Sequence, residues 1–239
     1  MFMSEQLTRR ERLRAEALAE ITELALAQVA EGGPAALSLN AIARQMRMSG
    51  PAIYRYFASR DDLLKTLVVD VYSDLAETLG QALEQARRRR PDARFRAVTD
   101  AYRNWALEHP GHYPLLLAGG LARGDQPPEI AIASQRAMQH ILAALRDLAA
   151  DRPAPAPKLP RDLDAQLRRW AHDRGAGEDL PPWLLRLAIV TWQRLHGHIT
   201  LELEGVHAAM GISSEALYRT EVDTIIAQAI EDDRHRLPT

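Results

Sequence analysis

The chain has 239 residues, 30 basic and 32 acidic side chains, a formal net charge of −2 and no cysteine. That length buries one large core or two modest ones without covalent staples. The missing cysteine excludes disulfides, zinc–thiolate sites and thiol catalysis. With charge so nearly balanced, any affinity for nucleic acid has to come from local clustering.

The first dozen residues carry Glu5, Arg9, Arg10, Glu11 and Arg12 where a secretory signal would have an apolar run. The longer uncharged stretches are interrupted, as His109 to Ala122 is by His, Pro and Gly, so no membrane span is expected. The expectation is a cytoplasmic protein.

A first helix is predicted over Thr8–Val29, with Leu13, Ala17, Ile21, Leu24 and Ala25 on one face and Arg9, Arg12, Glu16 and Glu23 elsewhere. Gly32, Gly33 and Pro34 end it. Arg9, Arg10 and Arg12 either reach phosphate from its end or form a solvated face with Glu11 and Glu16.

Next comes LNAIARQMRMSGPAIYRYF, Leu39 to Phe57. Leu39, Ile42, Ala43 and Met46 have helical spacing, and Ser38 is placed to cap them. The pattern restarts with Ser49 as a second cap, Pro51 in the first turn, and Ile53 and Phe57 one turn apart and facing the core. Two short helices meeting at a tight turn around Arg47 and Met48 make a helix-turn-helix, whose second helix can enter a DNA major groove. From Gly32 to Arg60 there is no Asp or Glu, yet Arg44, Arg47, Arg55 and Arg60 are present. An acid-free window in a balanced chain suits an approach to phosphate. The bland alternative is a basic helical pair that only packs a core.

From Ser38 through Leu64, SLNAIARQMRMSGPAIYRYFASRDDLL resembles the DNA-binding segment of TetR-type transcriptional regulators. That family usually has Gly in the turn, where this chain has Arg47. A non-Gly residue at positive φ is uncommon, so either the turn closes differently or Arg47 accepts strain. The DNA-binding set read from this segment is Ser38, Arg44, Arg47, Ser49, Gly50, Pro51, Ala52, Tyr54, Arg55, Tyr56 and Arg60. Gly50 to Tyr56 would lie in the groove with Pro51 and Ala52 near base edges. Tyr54, Tyr56 and Arg60 would grip phosphate, and Arg44, Arg47 and Arg55 would meet phosphate or a guanine edge.

In ASRDD, Ser59 caps a long helix and Asp62 completes a capping box; the helix runs through Leu63, Leu64, Leu67, Val68, Val71, Tyr72 and Leu75 to about Ala86. The resemblance implies that this helix carries a change in the later domain back to the DNA-reading pair. Arg87 to Arg90 reads as a solvated helix end before Pro91, in preference to a second DNA contact. Further helices are predicted over Asp92–His109, near Tyr113–Ala118, and over Glu129–Ala150. RPAPAPKLP is an extended connector at about 151–160. Asp162 to His172 is helical again, in a segment expected to be a mobile insertion or a lid.

In the last third, Leu185, Ala188, Trp192, Leu195 and Ile199 recur at helical spacing, while Leu184, Leu187, Thr191 and Leu201 coat a neighbouring face. A final helix from Ser214 to about Arg236 repeats the device. Helices apolar on two faces need two partners, so Leu185, Ala188, Val222, Ile225, Ile226 and Ala229 are candidates for a two-fold four-helix interface. TWQRLHGHITLELEGVHAAMG resembles the ligand-sensing and dimerising domain of one TetR branch, matching its named residues at Trp192, His196 and Gly197. The resemblance implies a small-molecule pocket here, for which Tyr102, Trp105, Tyr113, Met138, Trp192 and His196 are candidates. Core filling is the plainer role for any one of these aromatics.

His196, His198, Glu202, Glu204 and His207 crowd one segment as a candidate metal site, with His198 and Glu202 at i, i+4. No convincing third ligand follows, so neither metal nor cofactor is expected. No phosphate loop, nucleophile elbow or carboxylate pair points to an enzyme. The expected architecture is all-α: a three-helix DNA-binding domain at residues 1–60 and a helical ligand-binding and dimerisation domain at 61–239. The expected function is a homodimeric repressor of palindromic operators, released by a small-molecule effector, with half-sites about 34–36 Å apart. The alternative is a helical protein-interaction module without sequence-specific DNA binding.

Overall fold

A computed structural model describes residues 8–118, 127–151, 158–173 and 180–230. Every regular element among them is helical: α1 (Arg9–Gly32), a single 3-10 turn at Pro34–Ala36, α2 (Leu39–Gln45), α3 (Gly50–Ile53), α4 (Arg60–Gln85), α5 (Pro91–Glu108), α6 (Leu115–Ala118), α7 (Pro128–Asp151), α8 (Arg161–Asp173), α9 (Pro182–Leu203), α10 (Val206–Ala209) and α11 (Ser214–Ile230). The described residues form two compact units. Those up to Val71, with those from His109 to Ala131, make the first; those of Tyr72–Glu108 and from Ile132 onward make the second.

In the first unit α1 begins at a full capping box. Thr8 Oγ1 accepts from the Glu11 amide at 3.3 Å, and Glu11 Oε2 accepts from the Thr8 amide at 2.7 Å. The helix ends where Gly33 takes φ 70° and donates its amide to Val29 O at 2.8 Å. Ile21, Ala25 and Val29 are buried on α1, whereas Leu13, expected on the same face, is 54% exposed. Leu39, Ile42 and Ala43 of α2, Ile53 of α3, Phe57, and Leu63, Leu67 and Val68 of α4 complete the buried set. Each large aliphatic side chain among them stabilises the unit by roughly 1.5–3 kcal/mol. Tyr113, Leu115 and Leu116 are buried in the same unit. They follow Gly111, whose missing side chain matters: a Cβ there would lie 2.6 Å from Ala30 Cβ.

Two expected caps differ in detail. Ser49 holds the N-cap position of α3 with φ −68° and ψ 146°, but its hydroxyl makes no capping bond. At α4 the Asp62 amide donates to Ser59 Oγ at 3.0 Å as expected, while the return bond reaches one residue further back, from Ala58 N to Asp62 Oδ2 at 3.2 Å.

In the second unit α5 buries Phe95, Val98, Thr99, Tyr102, Trp105 and Ala106 and packs on α9 and α11. Polar bonds fix the register. Tyr218 Oη donates to Thr99 O at 2.6 Å, Arg94 pairs with Asp147 at 2.7 Å, and Arg96 pairs with Asp223. Arg103 grips Glu202 through Nε at 2.8 Å and Nη2 at 2.5 Å. The arginine run at 87–90 is exposed, with Arg87 on Glu84 at 2.7 Å and Arg90 facing Asp92 at 3.5 Å. Pro91 opens α5.

The segment expected to be a mobile lid contains α8, which buries Leu167 and Ala171 and packs on α9. Residues 152–157 of the connector and the end of the last helix at Arg236 lie outside the described residues.

The six residues expected at a subunit interface are already buried within one chain: Leu185 1%, Ala188 1%, Val222 2%, Ile225 0%, Ile226 6% and Ala229 0% exposed. Both apolar faces of α9 are therefore covered within the subunit. The partners of α9 are α5, α8, α10 and α11 of the same subunit.

Candidate nucleic-acid interface

The helix-turn-helix is built around the turn that ends α2. Arg47 takes φ 55°, the only non-glycine among the described residues at positive φ. Its amide donates to Arg44 O at 3.1 Å, and the Met48 amide donates back to Ala43 O at 2.8 Å. This pair of bonds is a Schellman cap, in which the left-handed position ordinarily belongs to glycine. The turn therefore closes in the usual way and Arg47 carries the strain, about 1–2 kcal/mol for a residue with a Cβ.

The start of the motif is tied to α1. Ser38 Oγ accepts from the Ala41 amide at 3.3 Å, and the Ser38 amide donates to Gln28 Oε1 at 2.8 Å. α3 is only four residues long, and its direction continues through a turn in which Tyr56 N donates to Ile53 O at 2.9 Å. Ile53 and Phe57 anchor this piece inward at 0% and 5% exposure. Arg44, Arg47, Ser49, Gly50, Pro51, Tyr54 and Arg55 are exposed, with Ala52 and Tyr56 half-buried beside them. Two of the sequence-predicted residues are engaged in hydrogen bonds of their own. Ser38 is held by its cap.

Arg60 is the other. Its Nε donates to Leu37 O at 3.1 Å, its Nη2 to Pro34 O at 2.5 Å, and its Nη1 meets Asp61 Oδ1 at 3.2 Å. The guanidinium expected on phosphate instead ties the start of α4 to the connection between α1 and α2. Spacing could not show this, because both carbonyls lie more than twenty residues upstream.

The sequence matches the family described as "Bacterial regulatory proteins, tetR family" over residues 21–67, and "Tetracyclin repressor-like, C-terminal domain" over residues 95–225. The chain belongs to the TetR family. Among its relatives, the HTH-type transcriptional regulator Rv1816 of Mycobacterium tuberculosis is 40% identical over 111 residues, which are 46% of this chain and 47% of that protein. The chain thus spans about half the length of the curated relatives it matches. A crystal structure of the protein SCO4313 superposes with a TM-score of 0.73 at 34% identity, covering 91% of this chain and 98% of that one. A protein of unknown function from Rhodococcus sp. RHA1 shares the fold at TM-score 0.68 and 20% identity, covering 96% of this chain and all of that one (100%).

In the C-terminal unit of this TetR-family chain, three of the pocket candidates meet. Tyr102 Oη and His196 Nδ1 share a hydrogen bond of 2.9 Å, and the Trp192 and His196 rings stack at 5.1 Å. Burial pushes His196 down to about 4, so the imidazole is neutral at pH 7. Trp105, one turn beyond Tyr102, donates its indole N–H to Asp74 Oδ2 at 2.7 Å. Met138 is half-buried on α7. Tyr113 belongs to the first unit and the other five to the second.

Two α9 groups stand out here: the buried Thr191 hydroxyl and His198 Nδ1 have no hydrogen-bond partner among the described residues. A hydroxyl at helical register with Leu187 and Leu195 looks like ordinary core, so nothing in the pattern marks it. His198 has its pKa lowered by burial and lies 5.9 Å from the His207 ring, which itself bonds Ser214 Oγ at 3.2 Å. Glu202, one turn from His198, is held bidentately by Arg103 and does not join it as a ligand.

Proposed function

We propose that the chain is a homodimeric repressor that reads palindromic DNA with the surface from Arg44 to Tyr56 and releases it when a small molecule binds the C-terminal unit. The observation that carries this reading is the exposed, acid-free arginine surface held on a helix-turn-helix in a TetR-family chain. Arg44, Arg47 and Arg55 meet phosphate or a guanine edge, Pro51 and Ala52 approach base edges, and Tyr54 and Ser49 reach the backbone. Arg60 acts by holding the reading head in place.

The dimer face is the outward stripe of α9. Arg186, Val190, Gln193, Gly197 and Leu201 recur every three or four residues there. A Cβ at Gly197 would meet nothing within 4 Å, and Leu201 is 44% exposed. The effector is a small molecule with both apolar surface and hydrogen-bonding groups. It would find hydrogen-bonding groups in the unpartnered Thr191 hydroxyl and His198 nitrogen, and apolar surface on Trp192 stacked with His196. A ligand preferring the non-binding dimer weakens operator affinity by the ratio of its affinities for the two states.

Fluorescence anisotropy with duplexes tiling the chain's own upstream region, together with a genome-wide binding map, tests this. Bound sites should be palindromic, with half-site centres about one helical turn apart or a multiple of it. Equal affinity for every duplex would support the protein-interaction alternative.

A further inference from the structure

A second basic surface lies in the first unit, where the start of α1 meets the end of the reading surface. Arg9, Arg10, Leu13 and Arg14 of α1, with Arg55 and Tyr56 after α3, line an open groove of about 680 Å³. Arg14 caps the Tyr56 ring, its guanidinium carbon 5.3 Å from the ring centroid. The helix phase explains the grouping. Arg10, Leu13 and Arg14 stand at i, i+3 and i+4, whereas Glu11 and Arg12 fall on the other side. Glu11 is further occupied by the Thr8 amide and hydroxyl, both at 2.7 Å, and these bonds hold its carboxyl below the usual range. Among the described residues no carboxylate lines the groove, and none pairs with any of its four arginines.

We infer that this groove carries the DNA backbone immediately flanking each half-site, with Arg9, Arg10 and Arg14 on phosphates and Tyr56 as the wall between groove and reading head. The inference rests on the DNA-binding function proposed above. Two features favour a strand of duplex over a small anion. The groove is open and lined on one side by exposed Leu13, at 54%, where a closed anion site would be walled by polar groups. It also runs directly into the reading surface, because Arg55 and Tyr56 follow Tyr54 in the same turn. A strand leaving the major groove would meet these guanidiniums next. Phosphate contacts of this kind position the protein and carry no base information.

The test uses the full chain with a 30-bp duplex of random sequence and a 30-bp duplex from its own upstream region, titrated between 50 and 200 mM salt. Three lost phosphate contacts in each subunit are six in the proposed dimer and lower the slope of log K against log salt by about 5.4, so the wild type should lose on the order of 10³-fold more affinity across that range than an Arg9→Gln, Arg10→Gln, Arg14→Gln variant. The drop should be equal on both duplexes, and Arg12→Gln, facing away, should leave the slope unchanged. All substitutions are on an exposed turn, and helical circular dichroism confirms the fold. An unchanged slope in the triple variant overturns the inference, as does a loss confined to the upstream duplex or a matching loss in Arg12→Gln. A wild type that binds neither duplex would instead refute the DNA-binding reading itself.

Discussion

Arg47 sits where two requirements pull in opposite directions, so replacing it with glycine separates them. The left-handed position at φ 55° costs a residue with a Cβ about 1–2 kcal/mol, and glycine removes that strain. Glycine also loses more backbone freedom on folding, which returns about 0.5–1 kcal/mol. The balance is a gain of about 0.5–1 kcal/mol, a rise of roughly 2 °C in Tm for a chain of this size. The same substitution removes one phosphate contact in each subunit, two in the proposed dimer, and lowers the salt slope by about 1.8. Over 50 to 200 mM this makes a difference of about tenfold. Arg47→Ala is the control, since it loses the charge but keeps the strain. Thermal melts at 222 nm and anisotropy titrations read the two effects. If Arg47→Gly melts no higher than Arg47→Ala, the Schellman turn described above is wrong. If both retain the wild-type slope, Arg47 does not touch phosphate.

The other predictions address the remaining assignments. Arg60→Gln should lower stability by about 1–2 kcal/mol through the lost bonds to Pro34 O and Leu37 O, while leaving the salt slope at its wild-type value. A reduced slope in a fully folded Arg60→Gln would return it to the phosphate contacts. Arg103→Met or Glu202→Leu alone should each destabilise by roughly 3 kcal/mol, the usual penalty for a buried charge left unpaired, and the double variant should recover most of it in denaturant melts. His196 has its folded pKa depressed from 6.5 to about 4. Both states are neutral above pH 6.5, and the unfolded chain alone gains the proton below it. Stability is therefore lost as pH falls from about 6.5 towards 4, by about 2–3 kcal/mol, and His196→Gln should flatten that part of the stability curve. Gly197→Gln with Leu201→Glu should give folded monomers by light scattering, whereas Ile226→Glu, aimed at a residue 6% exposed, should unfold the subunit.

Much of the fold is local chemistry, and local chemistry is legible in a single sequence. Ser38, Pro51, the Ser59 and Asp62 pair, and the apolar spacing of Leu39, Ile42, Ile53 and Phe57 set the ends and inner faces of the reading helices through contacts within four residues of each other. The oddity of Arg47 was equally visible, because glycine is the ordinary occupant of that turn. What spacing could not supply is the identity of a side chain's distant partner. Arg60 bonds to the carbonyls of Pro34 and Leu37. Arg14, absent from the sequence-derived set, meets Tyr56 across more than forty residues. Glu202 is taken by Arg103 before any histidine can use it. The apolar stripes of α9 and α11 declared that two faces would be covered. Periodicity is the same for a helix of the same subunit as for one of its twin, so only the packed chain shows that α5, α8, α10 and α11 pack on α9.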